Sequence, residues 1–227
     1  MLTAFAPGLW LADGPVADVA GFRYPTRMAV IRLADGGLLL WSPVEATPGL
    51  RAAVAALGPV RHLVAPNALH HLHLAGWTAA CPDAALWAAP GLRSKRPDLA
   101  FDGDLADAPD PAWAADLDQV AVAGNAITTE VVFFHRPSAT ALFTDLLQQF
   151  HPGWHRGWRG IVARLDRMTG EEPQVPNKFR VAFTDRKAAR ASLARIHAWP
   201  AERVLMAHGE PVQADGAAFL KRAWNWL

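Results

Sequence analysis

The amino-acid sequence predicts a mixed α/β (α+β) fold, a four-layer αββα sandwich in which two packed sheets carry helices on their outer faces. Three observations predict it. Strand-like segments come in two groups, each followed by helical stretches. Both halves run strands first and helices later, rather than in strict alternation. No strand-to-helix turn carries a Gly-rich phosphate loop, which argues against a doubly wound nucleotide-binding sheet. With 52% apolar and 19% charged residues, a chain of 227 residues supplies the core of one domain spanning positions 1–227.

The first group of strands occupies the opening 65 residues. Phe5 to Leu11 reads as one strand, and Val16 to Tyr24 as irregular extended chain. Met28 to Leu33 and Gly37 to Trp41 form a hairpin across Ala34-Asp35-Gly36, whose Asp-Gly pair supports positive φ. Pro48 to Leu57 is a helix closed by Gly58 and Pro59. Val60 to Ala65 is a further strand ending at Pro66. Asn67 then stands where an N-cap belongs, before a predicted helix from Ala68 to Ala80 that Pro82 ends. Ala85 to Ala89 is a short buried strand, and Pro90 to Leu105 an exposed loop with a helical turn.

The second group comprises Asp118 to Val122, Thr129 to His135 and Ala139 to Thr144, the last two joined through Arg136-Pro137-Ser138. Helices follow over Gly157 to Met168 and over Asp185 to Ala198, the latter capped by Thr184 or Asp185. Arg203 to Ala207 is a closing strand, and Ala214 to Trp226 a final helix. Gly170 to Pro176 reads as a surface loop. Trp224 and Trp226 either dock that last helix or meet a second copy of the chain.

Charge excludes some functions. There are 22 basic and 21 acidic residues, a formal net charge of +1. No basic block marks a nucleic-acid footprint. Arg156, Arg159, Arg164 and Arg167 suit one side of a helix, as a solvated face or an anion-binding one. Cys81 is the only cysteine, so an internal disulfide and a cysteine-based zinc site are both out of reach. With no base nearby, Cys81 reads as inert core filling. The opening segment lacks a positive n-region and carries Pro7 and Gly8, and no long apolar run follows, so the expected location is the cytoplasm with no membrane partner.

Three local sequences resemble the metallo-β-lactamase superfamily, most closely an uncharacterised branch of it. PNALHHLHLAGW follows a strand where that superfamily carries its His-x-His-x-Asp-His loop. VAGNAITTEVVFFHRPSATALFTDLL is similar to its Gly-His turn, hairpin and acidic strand end. RVLMAHGEPV is similar to its closing strand and terminal His-Gly. The resemblance runs from Phe5 to about Val212 and implies the same four-layer sandwich.

What the resemblance implies for ligands is a reduced set. In the preferred register His70 and His73 fall on histidine positions, Ala68 replaces the first histidine, and Leu72 replaces the aspartate. The other register puts His71 on the aspartate and leucines on two histidine positions. Asn125 stands where the Gly-His turn has histidine. The first metal position then keeps only His70, while the second keeps His73 and His208 with Asp145 as the carboxylate. That implies one zinc or other divalent ion per chain. Two imidazoles and a carboxylate form a sensible zinc set with a place left for water. The competing readings are paired surface histidines on one helix face, Asp145 as a helix cap, and no metal at all.

Three further features complete the site prediction. Glu130, starting a strand, is either a base or a group supporting the metal ligands at the pocket edge, or else a solvated edge carboxylate. His135 belongs at the far end of its hairpin. Phe150 to Arg159 interleaves aromatics, histidines and arginines. With Asn125, Trp154 and His155 it would form a wall or lid against a small-molecule substrate, or else a cover over the core. The implied activity is hydrolysis of a small ester, lactone, thioester or phosphoester. The alternative is a metal-free member of the fold that binds a small molecule or a protein partner.

Overall fold

A computed structural model describes residues 1–227. Seven strands form the first sheet, in the order β1 (Leu2–Ala6), β2 (Leu9–Asp13), β5 (Arg27–Arg32), β6 (Leu38–Trp41), β7 (Val60–Ala65), β8 (Ala85–Ala88) and β9 (Gly103–Asp104). Pairing is antiparallel as far as β6 and parallel from β6 onward. The second sheet is β10 (Leu117–Val122), β11 (Glu130–His135), β12 (Thr140–Gln148) and β13 (Arg203–His208), with only the β12–β13 pair parallel. A separate hairpin, β3 (Ala17–Val19) with β4 (Phe22–Tyr24), stands apart from both.

The two-residue period of strands sorts the side chains into layers. Ile31, Leu39, Trp41 and Val64 from the first sheet meet Val131, Phe133, Leu142 and Leu205 from the second in one core. The alternate residues Val30, Leu38, Leu40 and Leu63 face outward under α1 (Pro48–Ala55) and α2 (Leu74–Ala80), against Val54 and Trp77. On the other side, Val132, Phe134, Phe143 and Met206 pack beneath α5 (Asn177–Ala182), α6 (Arg186–His197) and α7 (Gly216–Ala223). Helix, sheet, sheet, helix is thus the order of layers. Strands buried on both faces read as continuous apolar runs, as β11 and β12 do.

Local departures from the sequence reading have local causes. The predicted strand Phe5 to Leu11 is two strands, because Pro7 and Gly8 (φ 72°) turn the chain between β1 and β2. The extended stretch Val16 to Tyr24 is likewise a hairpin, turned at Ala20 and Gly21. Helix α5 falls in a segment with no helical prediction, whereas the helical turn expected in the loop before β9 is the short helix α3 (Leu92–Lys95). Thr47 caps α1 and Asp185 caps α6 through their side chains. Trp224 and Trp226 stack on each other, and both contact Phe183. No helix is long and apolar enough to cross a membrane.

His135 sits at the far end of its hairpin, fully buried, its Nδ1 2.7 Å from Ser138 Oγ. Burial pushes its pKa down to about 4, against a smaller opposing pull from Asp116. The folded state therefore holds it neutral, while the unfolded chain takes up a proton below about pH 6.5. Stability from this residue is present above pH 6.5 and is lost as pH falls toward 4, by up to about 3 kcal/mol. Denaturant midpoints of wild type and His135→Gln should diverge less at pH 4.5 than at pH 7. Parallel pH profiles for the two proteins would refute this.

Candidate metal centre

The site begins with a break in the β12–β13 ladder. Phe143 pairs with Met206, and pairing resumes only at Gln148 with His208. The backbone between has left the ladder, so its N–H groups need other acceptors. Glu130 provides them. Its carboxylate accepts from the backbone N–H of Thr144 (2.7 Å), Asp145 (2.8 Å) and Leu146 (3.1 Å). Glu130 is fully buried. Burial first, then the neighbouring Asp145, pushes its pKa up, against the pull of those N–H bonds. Glu130 is thus neither a solvated edge carboxylate nor a base at the pocket edge. It holds the bulge that aims Asp145.

Asp145 meets His70 and His208 in the space this creates. Oδ2 lies 3.2 Å from His70 Nε2, and Oδ1 lies 3.5 Å from His208 Nε2. One donor atom from each residue lies within 4.8 Å of the others. Asn67 Nδ2 and Gln148 Nε2 donate to the two carboxylate oxygens, at 2.8 and 3.1 Å. Burial alone would raise the pKa of Asp145. When the two imidazoles are protonated on Nε2 as well, their charge and N–H bonds, His70 first, more than reverse that and hold its carboxyl well below the usual carboxylate range.

The far side of each ring is already committed. His208 Nδ1 lies 2.6 Å from the Pro25 carbonyl oxygen, which only accepts, so Nδ1 carries the proton. Ser42 Oγ donates to the Arg27 carbonyl and so receives the His70 Nδ1 proton, at 2.7 Å. Ser42 takes φ 52°, an uncommon backbone state for serine that turns its hydroxyl between these two partners. Both imidazoles therefore direct Nε2 at Asp145. Gly209 follows His208 at φ 154°, and a Cβ there would stand 2.9 Å from the Gln149 carbonyl oxygen.

His73 is not part of this cluster. The predicted helix Ala68 to Ala80 exists only as α2, from Leu74 onward. Asn67 Oδ1 accepts from the N–H of Leu69 and His70 and folds the chain into turns, while Asn67 Nδ2 is tied to Thr144 and Asp145. The turns swing His70 inward. His73 precedes the first turn of α2 and lines the surrounding cavity outside the cluster. His71, pushed down to about 4 by burial and by Lys95 and Arg96, faces Arg96, whose Nη1 also donates to its backbone carbonyl.

The cluster opens into a cavity of about 850 Å³ walled by the β3–β4 hairpin, the loop 69–73, Ile127, α4 (Trp158–Leu165) and α5. None of the three residues expected to contact substrate lines it. Asn125 donates to the Phe179 carbonyl and accepts from the Ile127 N–H, which builds its own loop. Trp154 stacks on Phe150 and donates to the Arg23 carbonyl. His155 is buried edge-on between Phe22 and Phe150. The aromatic stretch is thus packing beneath the cavity wall. Cys81 ends α2 away from the site, and burial pushes its thiol up. Asn67, Ser42 and Gln148 were missed as site residues; only Asn67, polar at a strand end beside two histidines, carried any local signal.

The fold is that of the metallo-β-lactamases. The chain superposes on a metallo-β-lactamase from Pontibacter korlensis with a TM-score of 0.65 at 13% identity, covering 97% of this chain and 96% of the other. FIM-1 from Pseudomonas aeruginosa in its mono-zinc form gives 0.66 at 12% identity, covering 98% and 93%. A metallo-β-lactamase from Erythrobacter litoralis gives 0.65 at 14% identity, covering 100% and 96%. No curated protein sequence matches the chain. A family model described as a domain of unknown function (DUF4336) matches residues 10–156, more than half of the chain, and the chain belongs to that family.

Proposed function

We propose that the protein is a hydrolase using one divalent metal ion, zinc by the chemistry of its donors, to cleave an ester, lactone, thioester or phosphoester. One observation carries this reading. Two imidazole Nε2 atoms and a carboxylate face one another, with both Nδ1 protons spent elsewhere. Three acceptor atoms so close repel unless a cation stands among them. His70, Asp145 and His208 fit a zinc ion in type and number, and their partners Ser42, Pro25 and Asn67 fix ring tautomer and carboxylate orientation before any ion arrives. Zinc in such a set lowers the pKa of a water to about 7, which supplies a nucleophile at neutral pH. Glu130 keeps Asp145 from shifting.

The same distances favour one other reading. Protons on the two Nε2 atoms would equally satisfy Asp145, and the protein would then be a metal-free binder. Equilibrium dialysis against zinc, on protein made without a histidine tag, separates the two. One equivalent should be retained by wild type and by His73→Ala, and lost in His70→Ala, Asp145→Ala and His208→Ala. No retention by wild type sinks the hydrolase; two equivalents would mean a second ligand set.

A further inference from the structure

We propose that the substrate is an amphiphile, an ester or thioester of a long apolar acyl chain that also carries an anionic group. This rests on the hydrolase reading for the reaction and adds its substrate class. Its ground is the distribution of exposed apolar side chains. Val19, Leu69, Leu72, Ile127, Val162 and Leu165 are each 39–70% exposed, and all six line the one cavity that holds the cluster. They come from four separate segments: the β3–β4 hairpin, the loop after β7, the loop before β11, and α4.

Soluble surfaces scatter single apolar residues freely, but convergence of this kind around a concave site marks what the site covers. Helix α4 repeats the pattern: only Ala163 is buried, while Val162 and Leu165 turn to the cavity. At about 850 Å³ the space lies at the upper end of small-molecule sites, more than a short ester fills. The anionic group follows from Lys95, which lines the same cavity, donates only to the Ala68 carbonyl and has no carboxylate partner. In the reaction, water adds to the acyl carbon, the bond to oxygen or sulfur breaks, and the leaving alcohol or thiol takes a proton.

The test is calorimetric titration of the metal-free full chain with butanoate, octanoate and dodecanoate. Each buried methylene is worth up to about a fourfold gain, so dodecanoate should bind at least about tenfold tighter than octanoate, and butanoate not measurably. Leu165→Asp and Leu72→Asp, both at exposed positions, should each weaken dodecanoate about tenfold and leave zinc retention unchanged. Lys95→Gln should weaken it severalfold. Val181→Asp alters an exposed apolar residue outside the cavity and should change nothing.

Equal affinity across the three chain lengths overturns the proposal even if zinc binds one to one, which leaves a hydrolase of small substrates. An equal loss in Val181→Asp overturns it too, as nonspecific adsorption. An unchanged Lys95→Gln overturns its anionic part. Chain-length dependence without zinc retention upholds the amphiphile and removes the hydrolase.

Discussion

Zinc at a thousandfold excess over its Kd should raise the thermal unfolding midpoint of the metal-free protein by about 10 °C. Binding confined to the native state contributes RT ln(1 + [L]/Kd), about 4 kcal/mol at that excess, and a domain of this size converts each kcal/mol to about 2–4 °C. The ligands make the effect global rather than local. His70 leaves the first sheet at the end of β7, whereas Asp145 and His208 stand on β12 and β13 of the second. An ion between them ties the two sheets together. The zinc-dependent increment should vanish in Asp145→Ala and His208→Ala, persist in His73→Ala, and be reversed by a chelator. The same increment in Asp145→Ala as in wild type would show that the ion binds somewhere else.

Replacing Glu130 should cost the most stability of any single polar substitution at the site. Its carboxylate accepts three backbone N–H bonds inside the core. Hydrogen bonds to a charged acceptor are worth about 1.5–3 kcal/mol each. Part of that is offset by the cost of keeping a carboxylate buried, so Glu130→Ala should lose about 4 kcal/mol in urea denaturation. Glu130→Gln keeps an acceptor and should lose about half as much. Because the same bonds aim Asp145, zinc affinity should fall along with stability in both variants. A loss under about 1 kcal/mol in Glu130→Ala would mean that the bulge holds itself.

Much of the fold was legible because its signals are local. The hairpin across Asp35-Gly36, the cap at Asp185 and the strand runs of β11 and β12 each depend on a few neighbouring residues. Where the reading failed around the site, a distant partner had overridden a local pattern. Ala68 to Leu74 has helical composition, yet Asn67 is fastened to Thr144 and Asp145, far along the chain, and its turns replace the first part of the helix. The strand through Asp145 runs on to Gln148 because Glu130 takes over the hydrogen bonds that the ladder gives up.

The sequence by itself determined the layers, through apolar period and turn residues, and through motif resemblance it named His70, Asp145 and His208 among its candidates. Which histidines meet the carboxylate was decided only in three dimensions. His70 and His73 are equivalent in composition and nearly so in spacing, so nothing local separates them. The choice falls to hydrogen bonds between distant segments, from His70 to Ser42, Asn67 to Asp145 and His208 to Pro25. Glu130 is the clearest case: an acidic residue at a strand start reads as solvated from its neighbours alone. Only the packed second sheet brings it three unpaired N–H groups, which offset part of the cost of burying its carboxylate.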